Sequence, residues 1–297
     1  MKNILFLVIG SLSLISCSTG SKITSPLSLP SQLDFPIIDV HTHTRFDGKV
    51  ERSSKMIMTE EQYFKEFKEA GVRGAISHTE ENGAEFVDLR SKNVFHCFGL
   101  SSQVPVEKLE ASLKSGKYRC IKIYLGYVHQ YAYSKNYEPA YALAEKYQVP
   151  VVFHTGDTYS TKGKLKYADP LTIDEVAVDH PKVNFVIAHC GNPWIQSAAE
   201  VAYKNPNVYL DGSALLVGDL SETDPEKIEE YVIKPIRWVF GYLEDPTKLM
   251  FGTDWPLTHI KPYRDAFLKA IPKEHWRAVF YENAKNVFKF PDLEKKE

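Results

Sequence analysis

The chain has 297 residues, 43% of them hydrophobic and 25% charged, and 36 Lys and Arg nearly balance 38 Asp and Glu for a net charge of −2 at neutral pH. No basic run or stripe is present, so nucleic acid is not expected as a partner. Four cysteines do not make a disulfide scaffold, and the stretch of about 250 residues after the N-terminal segment suits one α/β domain.

Met1-Lys2-Asn3 forms a short positive region ahead of "ILFLVIGSLSLIS", which runs to Cys17. This has the form of a secretory signal and is too short and wrongly flanked for a membrane span. "LSLISC" resembles the lipobox of bacterial lipoproteins, which implies a signal peptide over 1–17 with lipidation at Cys17. An ordinary signal peptide with an incidental Cys17 is the alternative. The Ser/Thr/Pro-rich stretch at 18–34 reads as a flexible tether. These features predict a bacterial cell-envelope protein whose membrane contact is the lipid anchor alone, and Ser18 after the cysteine resembles the outer-membrane form.

From Phe35 onward, short apolar runs alternate with helical patterns. The first run is "PIIDVHT" (36–42), and "TEEQYFKEFKEAG" follows it with a Thr-x-x-Gln cap and a closing Gly. "VRGAISH" (72–78) and "VFHCFGL" (94–100) come next, then a helix with Val106, Leu109 and Leu113 at helical spacing. "RCIKIYL" (119–125), "VPVVFHT" (149–155) and "VNFVIAH" (183–189) follow, each with a helical pattern behind it. "VYLDGSA" (208–214) and "LMFGTDW" (249–255) complete eight candidate strands. Strand–helix alternation predicts a parallel sheet, and eight repeats predict closure into a single-domain TIM (β/α)8 barrel over 35–291. No Gly-x-Gly-x-x-Gly follows the first strand to favour an open doubly wound sheet. Cys97, Cys120 and Cys190 lie in apolar runs and read as small buried hydrophobes. Cys97 and Cys120 fall on successive strands, and their pairing is left open.

Six of these residues are polar where a buried strand ends: His41, His43, Lys122, His154, His189 and Asp254. Burying such groups unpaired is costly, so their shared end predicts one polar site at the C-terminal mouth of the barrel. A divalent metal accounts for the set, with Zn²⁺ the default, Mn²⁺ the alternative, and one or two ions. His41 and His43, two residues apart on one strand, share a side and can bind one ion; with Asp39 they form an inward row. His154 is the expected third imidazole. Asp254 is expected to bind metal and act as catalytic base, against a bland role as helix cap before Trp-Pro. His189 is expected to be catalytic, or the ligand of a second ion. Lys122 has three readings: a contact to a substrate carboxylate, a carbamate bridging two ions, or an outward-snorkelling side chain.

The loops suggest how a small-molecule substrate is held. Arg45 directly follows the histidine pair, and Lys162, Lys164 and Lys166 lie after the fifth strand; all are candidates for attracting a carboxylate. Tyr124 and Trp255 are further substrate-binding candidates. Tyr127, His129, Tyr131, Tyr133 and Tyr137 either wall the pocket or pack their loop onto the barrel.

The segments "DVHTH", "IKIY", "PVVFHTG", "FVIAHCGNPW", "MFGTDWP" and "YENAKNVFKF" together resemble the amidohydrolase superfamily, in its amidohydrolase-related branch. The resemblance spans nearly the whole chain after the tether. It implies metal ligation by His41, His43, His154 and Asp254, a catalytic or second-metal role for His189, and the place of a carbamylated lysine for Lys122. The expected function is a metal-dependent hydrolase acting on an amide, lactone or ester. A non-oxidative decarboxylase or hydratase on the same site is the alternative, and a surface-anchored binding protein without catalysis is a third reading. Neither the substrate nor the oligomeric state is specified by these motifs.

Overall fold

The computed structural model describes residues 29–81 and 87–294. The expected signal peptide, the lipidated Cys17 and residues 18–28 of the expected tether lie outside the described residues. Residues from Ser31 onward form one compact unit.

All eight apolar runs form strands: β1 (Ile37–Thr42), β2 (Val72–Glu81), β3 (Val94–Leu100), β4 (Tyr118–Tyr124), β5 (Val151–His154), β6 (Phe185–Ala188), β7 (Val208–Asp211) and β8 (Leu249–Met250). Every neighbouring pair is parallel and the spatial order follows the chain order, as a TIM barrel requires. The helices between them are α1 (Glu60–Ala70), α2 (Val106–Lys114), α3 (Glu138–Tyr147), α4 (Thr172–Asp179) and α5 (Ile195–Lys204). A π turn at Glu229–Ile233 joins α6 (Pro225–Ile228) to α7 (Lys234–Leu243), and α8 (Ile260–Ala270) and α9 (Asn283–Val287) complete the chain. No helix among the described residues is long and apolar enough to cross a membrane.

α1 shows how local sequence sets these elements. The Thr59 hydroxyl accepts from the Gln62 amide, capping the start, and Gly71 ends the helix in a left-handed turn (φ 75°). Tyr63, Phe67 and Ala70 form its buried stripe.

β8 is shorter than its apolar run because residues 251–255 leave the regular ladder and continue beside β1. Val40 N–H donates to Phe251 O (3.1 Å), Asp254 N–H to His41 O (2.7 Å) and His43 N–H to Trp255 O (2.7 Å). These bonds close the barrel. Asp39 fastens the same seam from within. Fully buried, it accepts hydrogen bonds from the amides of His41 and Thr253 at 3.0 Å each, and from the Thr253 hydroxyl at 2.6 Å. Burial pushes its carboxyl up to about 8 while these donors pull the other way. Asp39 thus serves the seam, and the expected inward row with His41 and His43 is not formed. β1 carries one extra residue against β2 between Asp39 and Thr42, a bulge of the kind that re-aims a side chain.

Cys97 and Cys120 stand opposite one another on β3 and β4, with Cα atoms 4.4 Å apart, and form a disulfide. The buried-hydrophobe reading holds for Cys190, which is free and buried. The C-terminal segment completes the core: Phe288, Phe290 and Leu293 join Ile38, Val40 and Ile76 in one buried cluster. Asn283 holds that segment to β8 by donating to Pro246 O (2.7 Å) and Leu249 O (2.8 Å).

Replacing Asp39 by Ala leaves several buried donors at the seam without an acceptor. Asp39→Ala should lower stability by about 2–5 kcal/mol, read as a fall in the urea midpoint; a change below about 0.5 kcal/mol would contradict this role.

Candidate metal centre and active site

The strand ends converge on a cavity of about 810 Å³. His41, His43, Lys122, His154, His189 and Asp254 all line it. The decisive question is where each imidazole keeps its proton.

His41 Nδ1 lies 2.5 Å from Asp211 Oδ2. Asp211 ends β7, is fully buried, and also accepts from the Ser213 amide at 2.9 Å. Burial pushes its carboxyl up to about 7, opposed by Ser213 and Lys122. Burial, together with the neighbouring His78 and Lys122, holds His41 well below the usual imidazole value, so the ring is neutral. Its one proton serves Asp211 and its Nε2 lone pair faces the cavity. Gly252 leaves room for this pair, because a Cβ there would lie 2.6 Å from Asp211 Oδ1 and 3.2 Å from His41 Cβ.

The same logic fixes His43. Its Nδ1 lies 3.1 Å from the His78 carbonyl, which accepts only, so Nδ1 carries the proton. Its Nε2 then presents a lone pair 3.0 Å from Asp254 Oδ1. His189 directs Nδ1 to the Ser213 hydroxyl at 2.8 Å and Nε2 to Asp254 Oδ2 at 4.0 Å. Burial lowers His189 to about 4, leaving it neutral.

Asp254 is held in a left-handed backbone conformation (φ 63°) by the bond from its amide to His41 O. A non-glycine residue in that region often marks a functional constraint. Burial pushes its carboxyl up, but His43, His189 and Lys122 outweigh burial and hold it at about 2. Asp254 Oδ1 is nevertheless buried with no hydrogen-bond partner. The carboxylate thus lies at the point where the three imidazole edges converge. Asp254 does not cap a helix, since α8 begins six residues later, after His259.

His41, His189 and Asp254 each offer a ligand atom, all within 4.8 Å of one another. The Nε2 atoms of His41 and His43 approach Asp254 Oδ1 and that of His189 approaches Oδ2, a donor set that a divalent cation would satisfy, so these residues fit a metal. Lys122 stands behind them, fully buried, its Nζ 3.5 Å from His41 Nε2. Burial brings its ammonium down to about 8 against the pull of Asp211 and Asp254, enough to populate the neutral amine near neutral pH. The snorkelling reading is therefore excluded.

Other expectations are corrected. The loop after β5 folds back so that His154 Nε2 donates to Asp157 O at 2.8 Å. His154 lines the cavity beside the His41, His189 and Asp254 ligand group. Trp255 is fully buried, against Tyr63 and Phe46 with ring centroids 4.7 and 6.1 Å away, and does not line the cavity. The turn that aims Asp254 inward carries the next side chain outward. Arg45 does not line the cavity either; its exposed side chain meets Asp47 at 3.1 Å. Lys162, Lys164 and Lys166 are likewise absent from the lining. Tyr124 and Tyr127 do line it, whereas Tyr131 and Tyr133 stack on each other at 5.1 Å and Tyr137 is buried under the loop.

Sequence reasoning missed Asp211 and His78. The signal for Asp211 was present, since "VYLDGSA" places a carboxylate at a strand end just as the other site segments do. His78 ends a strand run too, and its ring lies 3.9 Å from that of His41.

Asp211→Asn keeps the shape but removes the anion that orients His41. Metal affinity, measured by competition with a chromophoric chelator, should fall about 10- to 100-fold. Unchanged affinity would sink the orienting role.

Known structures share this architecture. The chain aligns with an uncharacterized TIM-barrel protein from Bordetella bronchiseptica at 19% identity and TM-score 0.64, covering 86% of this chain and 99% of that one. A probable 2-pyrone-4,6-dicarboxylic acid hydrolase from Acinetobacter baumannii, with citric acid bound, aligns at 15% identity and TM-score 0.64, over 86% and 100% of the two chains. A 5-carboxyvanillate decarboxylase from Sphingomonas paucimobilis aligns at 11% identity and TM-score 0.61, over 86% and 100%. At these identities the likeness establishes the fold. No curated protein matches the sequence. The family model described as "Amidohydrolase" matches residues 38–290, and the chain belongs to that amidohydrolase family of enzymes.

Proposed function

We propose that this protein is a metal-dependent hydrolase that directs water onto an ester, lactone or amide carbonyl. The observation that carries this reading is the convergence of the His41, His43 and His189 Nε2 atoms on the buried Asp254 carboxylate, at 3.7, 3.0 and 4.0 Å. His41, His189 and Asp254, with His43 beside them, are the residues that would hold the ion. Nitrogen and carboxylate donors of this kind favour Zn²⁺, with Mn²⁺ the alternative. A divalent ion there supplies Lewis acidity, polarising the carbonyl and acidifying water. Asp254, the carboxylate nearest this group, takes the proton from the attacking water and returns it to the leaving group. Asp211 keeps His41 in the tautomer that leaves Nε2 free, and the Ser213 hydroxyl holds the His189 ring through Nδ1.

One observation favours a second reading. Lys122 stands 3.5 Å from His41 Nε2 beside one ligand group, and a single ion at that group would suit non-oxidative decarboxylation on the same residues. That 5-carboxyvanillate decarboxylase and a probable dicarboxylic acid hydrolase both share the fold supports keeping the two chemistries together.

The lipobox-like "LSLISC" supports an envelope enzyme anchored through Cys17, and a disulfide between Cys97 and Cys120 fits an oxidising compartment. Its substrates would then be small molecules met outside the cytoplasm.

Chelation should abolish hydrolysis of a panel of esters, lactones and amides, and Zn²⁺ or Mn²⁺ should restore it. Asp254→Asn should lower kcat about 10²- to 10⁴-fold even at saturating metal. CO₂ release from aromatic acids without hydrolysis of any panel member would favour the decarboxylase; full activity in metal-free protein would contradict both readings.

A further inference from the structure

Above the ligand group the cavity changes character. On the side built by the loops after β4 and β5 stand Tyr127 and Tyr159. Tyr127 is fixed: its ring packs edge-on against His154 at 4.8 Å and its hydroxyl accepts from the Tyr159 amide at 2.8 Å. Across the mouth, the segments after β7 and β8 contribute Leu215, Leu216, Val217 and Leu257. A planar or alkyl body fits between an aromatic wall and an aliphatic one.

Charge in the cavity points the same way. Lys122 is the one Lys or Arg among the described lining residues. It is fully buried at the floor, with its Nζ 3.5 Å from His41 Nε2. Asp157 lines the cavity with an exposed side chain, adding negative charge toward the mouth. The basic side chains nearest in sequence are engaged elsewhere, Arg45 with Asp47 at 3.1 Å and Lys166 over the Tyr167 ring at 4.8 Å. A carboxylate on the body of a substrate would leave water for apolar walls and a like charge, with no cation to meet it.

We propose that the substrate is a neutral molecule carrying an aromatic or alkyl body beside its reactive carbonyl, and that Tyr127 and Leu216 set this preference. The inference rests on the hydrolase reading above and adds the substrate class. It departs from the expectation of a carboxylated substrate drawn from Arg45 and the three loop lysines.

Two ligands with the same metal-binding head separate the walls from the centre: benzohydroxamate and 4-carboxybenzohydroxamate. Their affinities for the Zn²⁺-loaded full chain are measured by calorimetry, with metal content assayed in parallel. The neutral ligand should bind at least about tenfold more tightly. Tyr127→Ala should weaken it severalfold without changing metal content. Leu216→Arg should reverse the preference by supplying the missing cation. Tighter binding of the carboxylated ligand to the unaltered protein, or a preference unmoved by both substitutions, overturns the substrate class alone. Failure of both ligands to bind, or failure to retain Zn²⁺, overturns the hydrolase reading and this inference with it.

Discussion

The site depends on the seam where β1 meets residues 251–255. Main-chain bonds from Val40, His43 and Asp254 close the barrel there, and the buried carboxylate of Asp39 collects further donors from His41 and Thr253. This seam sets the separation of His41, His43 and Asp254, although more than two hundred residues divide them in sequence. The left-handed turn at Asp254 and the bulge in β1 are the local distortions that bring carboxylate and imidazoles face to face. A barrel with a regular eighth strand and no bulge would not present them in this way.

Behind the cavity-facing groups stands a layer that commits their protons. Asp211, the His78 carbonyl and the Ser213 hydroxyl engage Nδ1 of His41, His43 and His189 respectively. His41 and His43 are thereby left with a lone pair on Nε2, and the Nε2 atoms of all three rings face Asp254. Neutral rings around a buried carboxylate form an arrangement that a divalent cation would satisfy. In the metal-free protein Lys122 is the nearest cation, and the same burial that weakens its ammonium readies it to yield.

Much of this was legible in the sequence because it follows from periodicity. Eight apolar runs gave the strand count and the barrel, the polar residues on five of them gave the common face, and β3 even keeps its expected bounds. What the sequence hid are facts of backbone direction and of distant partners. His154 ends its strand as expected, but a carbonyl three residues away engages its Nε2. Trp255 follows Asp254 directly, yet the turn sends it into a cluster with Tyr63 and Phe46. Arg45 is close to the histidine pair along the chain and points away from it in space. Asp211 was overlooked because one carboxylate before a glycine reads as a turn signal until its strand is known to end beside His41.

The central claim is that the Nε2 atoms of His41, His43 and His189 and the Asp254 carboxylate form a resident metal site. Elemental analysis of the protein purified without chelator, beside His41→Ala, tests it most directly. The account predicts one or two equivalents of Zn²⁺ or Mn²⁺ per chain in the unaltered protein and loss of metal in the variant. Unaltered protein that carries no metal and takes up none on incubation with either ion would contradict it.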